Sequence, residues 1–222
     1  MQLPSELNLD ILSQQLETLK TEFCVPDIIP PEARIVFLLE SPHIQELKFG
    51  APVSGLSGGT MTKHLFGDDY AKYPLGRLVK QNADHAVHRP RLDAVGLMNV
   101  CNIPMQGSAY GNSRLRRQCS TLISLLEQIR SNNQRDEYPQ VPLNLSQDLI
   151  LADFRRRLVA LQVRQLTLVP CGRFAQKFFR LAGLSNSDWT VIPDVPHPSY
   201  NSWDRLRYAD AIHQVTTAFS AL

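Results

Sequence analysis

The chain has 222 residues, of which 43% are hydrophobic and 20% are charged, and its formal net charge is only +2. These values are typical of a globular protein, and they exclude a disordered tail, a collagen-like repeat and a disulfide-stapled miniature. The length suits one large domain or two small ones. We predict a single domain over residues 1–222, in which residues 1–30 form an N-terminal helical leader.

The small net charge conceals an uneven distribution along the chain. Residues 1–46 carry eight acidic and two basic residues, a balance of −6, whereas residues 71–130 carry nine basic and three acidic residues, a balance of +6. Of the 23 basic residues, 17 are arginines, whose guanidinium groups match phosphate geometry. The basic segment therefore suits a polyanionic partner, and the alternative is an ordinary solvated surface.

The spacing of the cysteines indicates whether a metal or cluster site is present, and the length of the apolar runs indicates whether the chain can span a membrane. Cys24, Cys101, Cys119 and Cys171 form no C-x-x-C pair, so we predict no metal site, no iron–sulfur cluster and no other cofactor. The longest apolar run, residues 35–39, is too short to span a bilayer, and the amino terminus lacks the pattern of a signal peptide. We expect a cytoplasmic monomer with reduced thiols and no membrane partner.

In the first half of the chain, apolar spacing predicts a one-faced helix over residues 6–23, ended by prolines, and then a buried strand over 35–39. A glycine-rich loop follows over residues 50–59. Short helical patterns cover residues 61–66 and 75–81. The second strand is predicted over residues 94–100.

The second half repeats the alternation. We predict helices over residues 113–130, 146–161, 173–181 and 204–219, a polar loop over 131–145, and strands over 165–170 and 189–193. Arg155, Arg156 and Arg157 are expected on the outer side of their helix. Four buried strands separated by helices predict a three-layer α/β/α fold with a central, four-stranded, mostly parallel sheet.

Polar segments follow all four predicted strands. They are residues 40–43, 99–102, 171–173 and 197–199. Ligands of open parallel sheets bind beyond the carboxyl ends of the strands, so convergence of these four segments predicts a functional site at that edge.

Two of these segments form a recognisable pattern. Leu39-Glu40-Ser41-Pro42-His43 precedes Gly50-x-Pro52-x-x-Gly55-x-x-Gly58, Asn99 ends the second strand, and His197-Pro198-Ser199 follows the last strand. In this order the motifs resemble the uracil-DNA glycosylase superfamily, and their layout is closest to its thermophile-type branch. The resemblance covers roughly residues 34–215.

The resemblance implies a set of roles. Glu40 would orient or activate the water that attacks the sugar, His197 would donate to the departing base, and Asn99 would read the edge of the flipped base. This division suits the chemistry, because cleavage of an N-glycosidic bond gives an oxocarbenium-like sugar and an anionic base. The other implied base contacts are Ser41, Pro42 and His43, and the implied phosphate or DNA contacts are Gly50, Pro52, Gly55, Ser57, Gly58, Ser199 and Tyr200. Apart from the resemblance, we predict Phe49 as a further base contact, and Arg114 as a DNA contact because it lies in the basic segment near the predicted pocket.

The sequence also departs from the family pattern. Ser41 replaces the aspartate of the best-known branch, Val53 replaces the aromatic residue that stacks on the base, and the four cluster cysteines are missing. Phe49 or Phe66 is a candidate replacement for the ring. His43 replaces a glycine and would narrow the pocket.

Several structural alternatives stay open. Taken alone, Glu40 could equally form an ion pair with an arginine, and Asn99 could form a hydrogen bond with a neighbouring backbone group. Trp203 could pack the last helix instead of acting as a wedge in DNA. We therefore expect a monofunctional DNA glycosylase acting on a deaminated base, most simply uracil. The alternative is a catalytically inactive protein of the same fold that binds nucleic acid, a nucleobase or a protein partner.

Overall fold

The computed structural model describes residues 8–222. The first helix, α1 (Leu9–Phe23), is capped by Asn8, whose side chain accepts a hydrogen bond from the Ile11 amide at 3.0 Å. The expected start of this helix at Glu6 lies outside the described residues. Leu12, Leu16 and Leu19 of α1 are buried and belong to the main hydrophobic core.

The sheet has four strands, β1 (Ile35–Leu39), β2 (Val95–Asn99), β3 (Leu166–Pro170) and β4 (Trp189–Val191), in the order β2-β1-β3-β4. All neighbouring pairs are parallel. Leu39 pairs with Asn99 and Leu38 with Pro170, so the carboxyl ends of the three longest strands are level with one another. This register brings the polar segments that follow them to one edge.

The remaining helices surround the sheet. They are α2 (Ile44–Phe49), α3 (Leu56–Phe66), α4 (Leu75–Asp84), α5 (Pro90–Asp93), α6 (Arg114–Gln118), α7 (Ser120–Ser131), α8 (Val141–Val159), α9 (Gly172–Ala182) and α10 (Ala209–Ser220). Short 3-10 turns complete the chain. Among residues 8–222, no helix combines the length and the apolar character needed to cross a membrane.

Two hydrophobic clusters separate the layers. On one face of the sheet, Val36 and Leu38 of β1 pack with buried side chains of α1, α7, α8 and α9. On the other face, Phe37 and its neighbours pack with α3, α4 and α10. Because side chains alternate along a strand, one apolar run supplies both clusters, and the predicted three-layer α/β/α fold is confirmed.

Some predicted boundaries were wrong. The single helix expected over residues 113–130 is broken at Cys119, because the side chain of Gln15 accepts the Leu122 amide at 3.2 Å and so caps a new helix, α7. The helix after the polar loop begins at Val141, with Pro142 in its first turn, where a missing amide hydrogen costs nothing. The glycine-rich loop is shorter than expected, since α3 begins at Leu56.

Arg157 is also not on the outer side of its helix. Its side chain is only 10% exposed and pairs with Asp27 at 2.9 Å and with Asp153 at 2.8 Å. It further donates to the main-chain carbonyls of Asn99 at 2.8 Å and Val100 at 2.7 Å. Arg157 therefore holds the carboxyl end of β2 in place from behind.

Candidate functional site

A cavity of about 460 Å³ lies at the carboxyl edge of the sheet. Segments that follow β1, β2 and β4 meet there, with the start of α3 and the end of α7. The residues predicted for the site that line it are Glu40, Ser41, Pro42, His43, Gly55, Ser57, Asn99, His197, Ser199 and Tyr200. Convergence of the strand ends is what a parallel sheet produces at this edge.

Other predicted site residues lie outside the cavity lining. The ring of Phe49 lies 3.5 Å from the Arg77 guanidinium, Phe66 packs on Phe219, and Arg114 is exposed on α6. Pro52 is buried beneath the loop and Gly50 ends α2. Neither phenylalanine therefore supplies a ring to the cavity in place of Val53.

Gly58 has a packing role in the structure. A Cβ atom at this position would lie 1.7 Å from the carbonyl oxygen of Val53, so only glycine allows α3 to approach the preceding loop. Gly58 thus fixes the wall formed by Val53, and Val53 itself lines the cavity.

Asn99 is the buried polar group of the cavity. Asn99 is 1% exposed, and neither its amide nitrogen nor its amide oxygen forms a hydrogen bond of normal geometry with a described residue. The Glu46 carboxyl group lies close enough for the amide to favour its charged form. The alternative raised by the sequence, a hydrogen bond from Asn99 to a neighbouring backbone group, is not found among the described residues. Buried amides are normally paired, so a donor and an acceptor are both left for a ligand in the cavity.

Glu46, in α2, is a further acidic residue of the cavity, and its place there was not predicted from the sequence. Its two carboxylate oxygens accept the amides of Val53 at 2.7 Å and of His43 at 2.8 Å. Burial raises the pKa of Glu46 to about 7, although both backbone amides and the nearby Asn99 side chain oppose this rise. A carboxyl group that titrates near neutrality therefore lies in the cavity lining beside Asn99.

The loop that carries Val53 is strained. Val53 has a φ of +47°, a left-handed conformation that a β-branched residue rarely adopts. The backbone amide of Val53 donates to the Glu46 carboxylate at 2.7 Å, and the carbonyl oxygen of Val53 is packed against Gly58. Such strain persists only where the surroundings determine the backbone, so this wall of the cavity has a fixed shape.

Glu40 forms an ion pair across the cavity. Its Oε1 lies 2.5 Å from the Nε atom of Arg130, which comes from the last turn of α7. With the amide of Gln106 turned so that its oxygen faces the guanidinium, that oxygen accepts from Arg130 at 2.7 and 2.9 Å, and its nitrogen lies 3.3 Å from His43 Nε2. The alternative raised by the sequence for Glu40, an ion pair with an arginine, is therefore present in the structure.

The ring of His197 is held in one orientation. Its Nδ1 atom accepts the backbone amide of Ser199 at 3.3 Å and lies 2.9 Å from the Ser199 hydroxyl. An accepting Nδ1 places the proton of the neutral ring on Nε2, which makes Nε2 a donor. Burial lowers the pKa of His197, with Arg130 adding to this effect and Glu40 opposing it, so the ring is neutral at physiological pH.

Gly172, at the start of α9, lies directly behind this ring. A Cβ atom there would stand 2.7 Å from the Cβ of His197, and the φ of Gly172 is +86°. Its amide donates to the carbonyl oxygen of Val195 at 2.8 Å. The end of β3 therefore positions the loop that carries His197 and requires glycine to do so.

Two apolar side chains stand exposed at the rim. Leu56 is 95% exposed at the start of α3, and Tyr200 is 88% exposed on a left-handed backbone with φ of +56°. Trp203, in contrast, is 2% exposed and donates its indole N–H to the Pro196 carbonyl at 2.9 Å. Tyr200 is therefore accessible to a ligand at the rim, whereas the ring of Trp203 is packed inside the protein.

A second, wider cavity of about 740 Å³ adjoins the first and shares Glu40, His197, Ser199 and Tyr200 with it. Arg173, Arg205 and Arg207 are among its lining residues. Within residues 8–222, no group of three or more histidine, cysteine or acidic side chains is arranged to hold a metal ion. Cys24 is exposed and the other three cysteines are buried.

A comparison with known proteins finds no family model that matches this chain and no curated protein that matches it. The resemblance to uracil-DNA glycosylases therefore rests on the sequence motifs alone.

Proposed function

We propose that this protein is a DNA glycosylase that hydrolyses the N-glycosidic bond of a flipped deaminated base, most simply uracil. The observation that carries the proposal is the unpaired, buried amide of Asn99, in a cavity that Glu40 and His197 also line. A base inside a duplex is out of reach of such a cavity, so the nucleotide must leave the stack before reaction.

Recognition of the base is assigned to Asn99. A uracil edge offers one carbonyl acceptor and one N–H donor side by side, and an amide side chain is their complement. Pairing with the base would satisfy both polar atoms that the protein leaves unpaired. The fixed wall at Val53 limits the space beside the base.

The proposed chemistry divides between Glu40 and His197. The bond between the sugar C1′ and the base nitrogen breaks, and both electrons leave on the base. The neutral His197 ring donates a hydrogen bond from Nε2 to the base oxygen on which negative charge develops. A water oxygen forms the new bond to C1′, its proton passes to solvent through Glu40, and the released base anion takes up a proton from solvent.

The ion pair with Arg130 is compatible with this role of Glu40. Only Oε1 of Glu40 is engaged, and Oε2 makes no hydrogen bond to any residue of the described chain. One oxygen is therefore fixed, and the other is left for the water or the sugar.

The surroundings of the cavity suit a nucleic acid. The start of α3 lies at the rim, where a helix N-terminus favours an anionic phosphate, and the arginines of the second cavity add positive charge. Tyr200 and Leu56 offer apolar surface to the bases beside the flipped one. The cytoplasmic location and the monomeric state stay predictions from the sequence.

A non-catalytic binding protein of the same fold is the second candidate. Val53 and Tyr200 favour it, because no phenylalanine or tryptophan lines the cavity among the described residues, and the one tyrosine there, Tyr200, is 88% exposed. Such a protein would bind a nucleic acid without cleaving it.

The test is a panel of single- and double-stranded oligonucleotides that contain uracil, hypoxanthine or xanthine. We expect release of at least one free base, detected by alkaline cleavage of the abasic strand and by chromatography of the base. Salt-dependent binding without release from any member of the panel would support the second candidate instead. If the protein neither releases a base nor binds any member of the panel, both candidate functions are overturned.

A further inference from the structure

Arg130 is the one cation that forms an ion pair with Glu40 among the described residues. It lies 90 residues from Glu40 in sequence, and its Nε is 2.5 Å from Glu40 Oε1. The Gln106 amide oxygen engages the same guanidinium at 2.7 and 2.9 Å. Two acceptors therefore fix the guanidinium plane at the cavity wall.

A second buried arginine shows what a purely structural role looks like in this fold. Arg157 is 10% exposed, binds two carboxylates and donates to two main-chain carbonyls behind β2. Arg130 is 34% exposed, lines the cavity, and makes only side-chain contacts in the described structure. Its guanidinium thus acts on the site rather than on the packing of the chain.

The charges that face His197 come from several segments. Glu40 follows β1 and Arg130 comes from α7, with His43 and Glu46 further around the same cavity. On the side of the second cavity the charged groups are Arg173, Asp194, Arg205, Arg207 and Asp210. Burial is the largest influence against the charged imidazolium, Glu40 favours it, and Arg130 opposes it.

The charge state of His197 has a structural consequence. Its Nδ1 accepts the Ser199 amide, and a protonated Nδ1 has no lone pair to accept that bond. Anything that favours imidazolium would therefore release the ring from its orientation.

We propose that Arg130 is a positioning residue, which holds Glu40 with one oxygen free and balances its charge so that His197 stays neutral and oriented. The catalytic part of this inference rests on the proposed glycosylase function. Its electrostatic part concerns the protein alone and is measurable without substrate.

The test compares Arg130→Gln, Arg130→Lys and a control, Arg135→Gln. Arg135 is exposed, lines neither cavity and makes no ion pair in the described chain, so its variant removes the same charge elsewhere. The pKa of His197 is measured by NMR titration of the ring nitrogens. We expect it to rise in Arg130→Gln, to return toward the wild-type value in Arg130→Lys, and to be unchanged in Arg135→Gln.

The second readout is the pH profile of base release under single-turnover conditions. We expect the acid limb of Arg130→Gln to move to higher pH together with the His197 pKa, with at least a tenfold loss of rate at neutral pH. A His197 pKa and an acid limb that both stay at their wild-type values would overturn the role of Arg130. A wild-type protein that releases no base would overturn the proposed function, whatever the titration shows.

Discussion

Two asparagines of this protein are equally buried, each 1% exposed, and their surroundings differ completely. Asn82, in α4, donates to the Asp93 carboxylate at 2.6 Å and accepts the Arg89 amide at 3.0 Å. Asn99, at the end of β2, has no partner for either polar atom in the described structure. One side chain completes a hydrogen-bond network, and the other faces a cavity.

Under the proposed function, the difference separates a structural group from a ligand-binding one. A buried polar group without a partner costs about 1–3 kcal/mol of stability. At Asn99 the folded protein is destabilised by this amount, and a ligand that pairs with the amide would remove the destabilisation. At Asn82 the same side chain contributes to stability. Substitutions around Asn99 should therefore affect turnover, and those around Asn82 should affect unfolding.

The largest effect is expected on the catalytic side of this comparison. His197→Ala removes the proposed donor to the departing base and should cost about 2–4 kcal/mol of transition-state stabilisation, a loss of roughly thirty- to a thousandfold in rate. The measurement is single-turnover release of uracil from an oligonucleotide. His64→Ala is the control, because His64 pairs with Asp204 outside the 460 Å³ cavity. Equal rates for the two variants would contradict the role of His197.

Glu46 extends the comparison to pH. The folded protein holds a proton on Glu46 up to about pH 7, whereas an unperturbed carboxyl releases it near 4.5. The contribution of Glu46 to the free energy of unfolding should therefore fall as the pH rises from 4.5 to 7, by up to roughly 3 kcal/mol, and stay constant above that range.

Urea unfolding at several pH values measures this effect. Glu46→Gln should remove that fall, and Glu137→Gln, which changes an exposed carboxyl group, should keep the wild-type dependence. A Glu46→Gln variant with the same pH dependence as the wild type would show that Glu46 titrates normally.

On the structural side, Asn82→Leu should lower the free energy of unfolding by about 1–3 kcal/mol, because it leaves the Asp93 carboxylate and the Arg89 amide without their partner. Activity per folded molecule should be unchanged. The checks are urea denaturation and the rate of base release. A variant that keeps full stability but loses activity would reverse the assignment of the two asparagines.

The smallest effect is expected at the rim. Tyr200→Ala should weaken binding of a uracil-containing oligonucleotide by about 1–3 kcal/mol, since stacking on one base is lost, and Leu56→Ala should weaken it by about 1 kcal/mol. Leu206→Ala is the control for Leu56→Ala, because Leu206 is 92% exposed and lines neither of the two cavities at the sheet edge. Fluorescence anisotropy at fixed salt measures all three. Equal weakening by Leu56→Ala and Leu206→Ala would exclude a specific contact at Leu56.

The sequence was sufficient to predict the order of the strands, three of them buried, and much of the cavity lining, whereas β4 is shorter than the predicted residues 189–193 and is not buried. Buried strands are continuous apolar runs, and parallel topology puts their carboxyl ends together, so Glu40, Asn99 and His197 follow from their positions. The helix α2 left no such pattern, because none of its residues is buried. Without α2, the position of Glu46 beside Asn99 could not be derived.

Other features depend on contacts between distant segments. Arg130 reaches Glu40 across 90 residues, and nothing local distinguishes it from the other arginines of the basic segment. The sequence predicts Arg157 in a solvated triplet, yet its side chain is 10% exposed and binds two acidic residues and two main-chain carbonyls. Val53 adopts a conformation that its own preferences oppose, and only the Glu46 carboxylate and Gly58 explain it.

The most direct measurement is the single-turnover release of uracil by the wild type and by Asn99→Leu, with the free energy of unfolding of both proteins determined alongside. Release by the wild type, with a loss of at least two orders of magnitude in Asn99→Leu and no loss of stability, is the predicted result. Equal release by both proteins, or none by the wild type on any deaminated base, would contradict the assignment of this cavity to base excision.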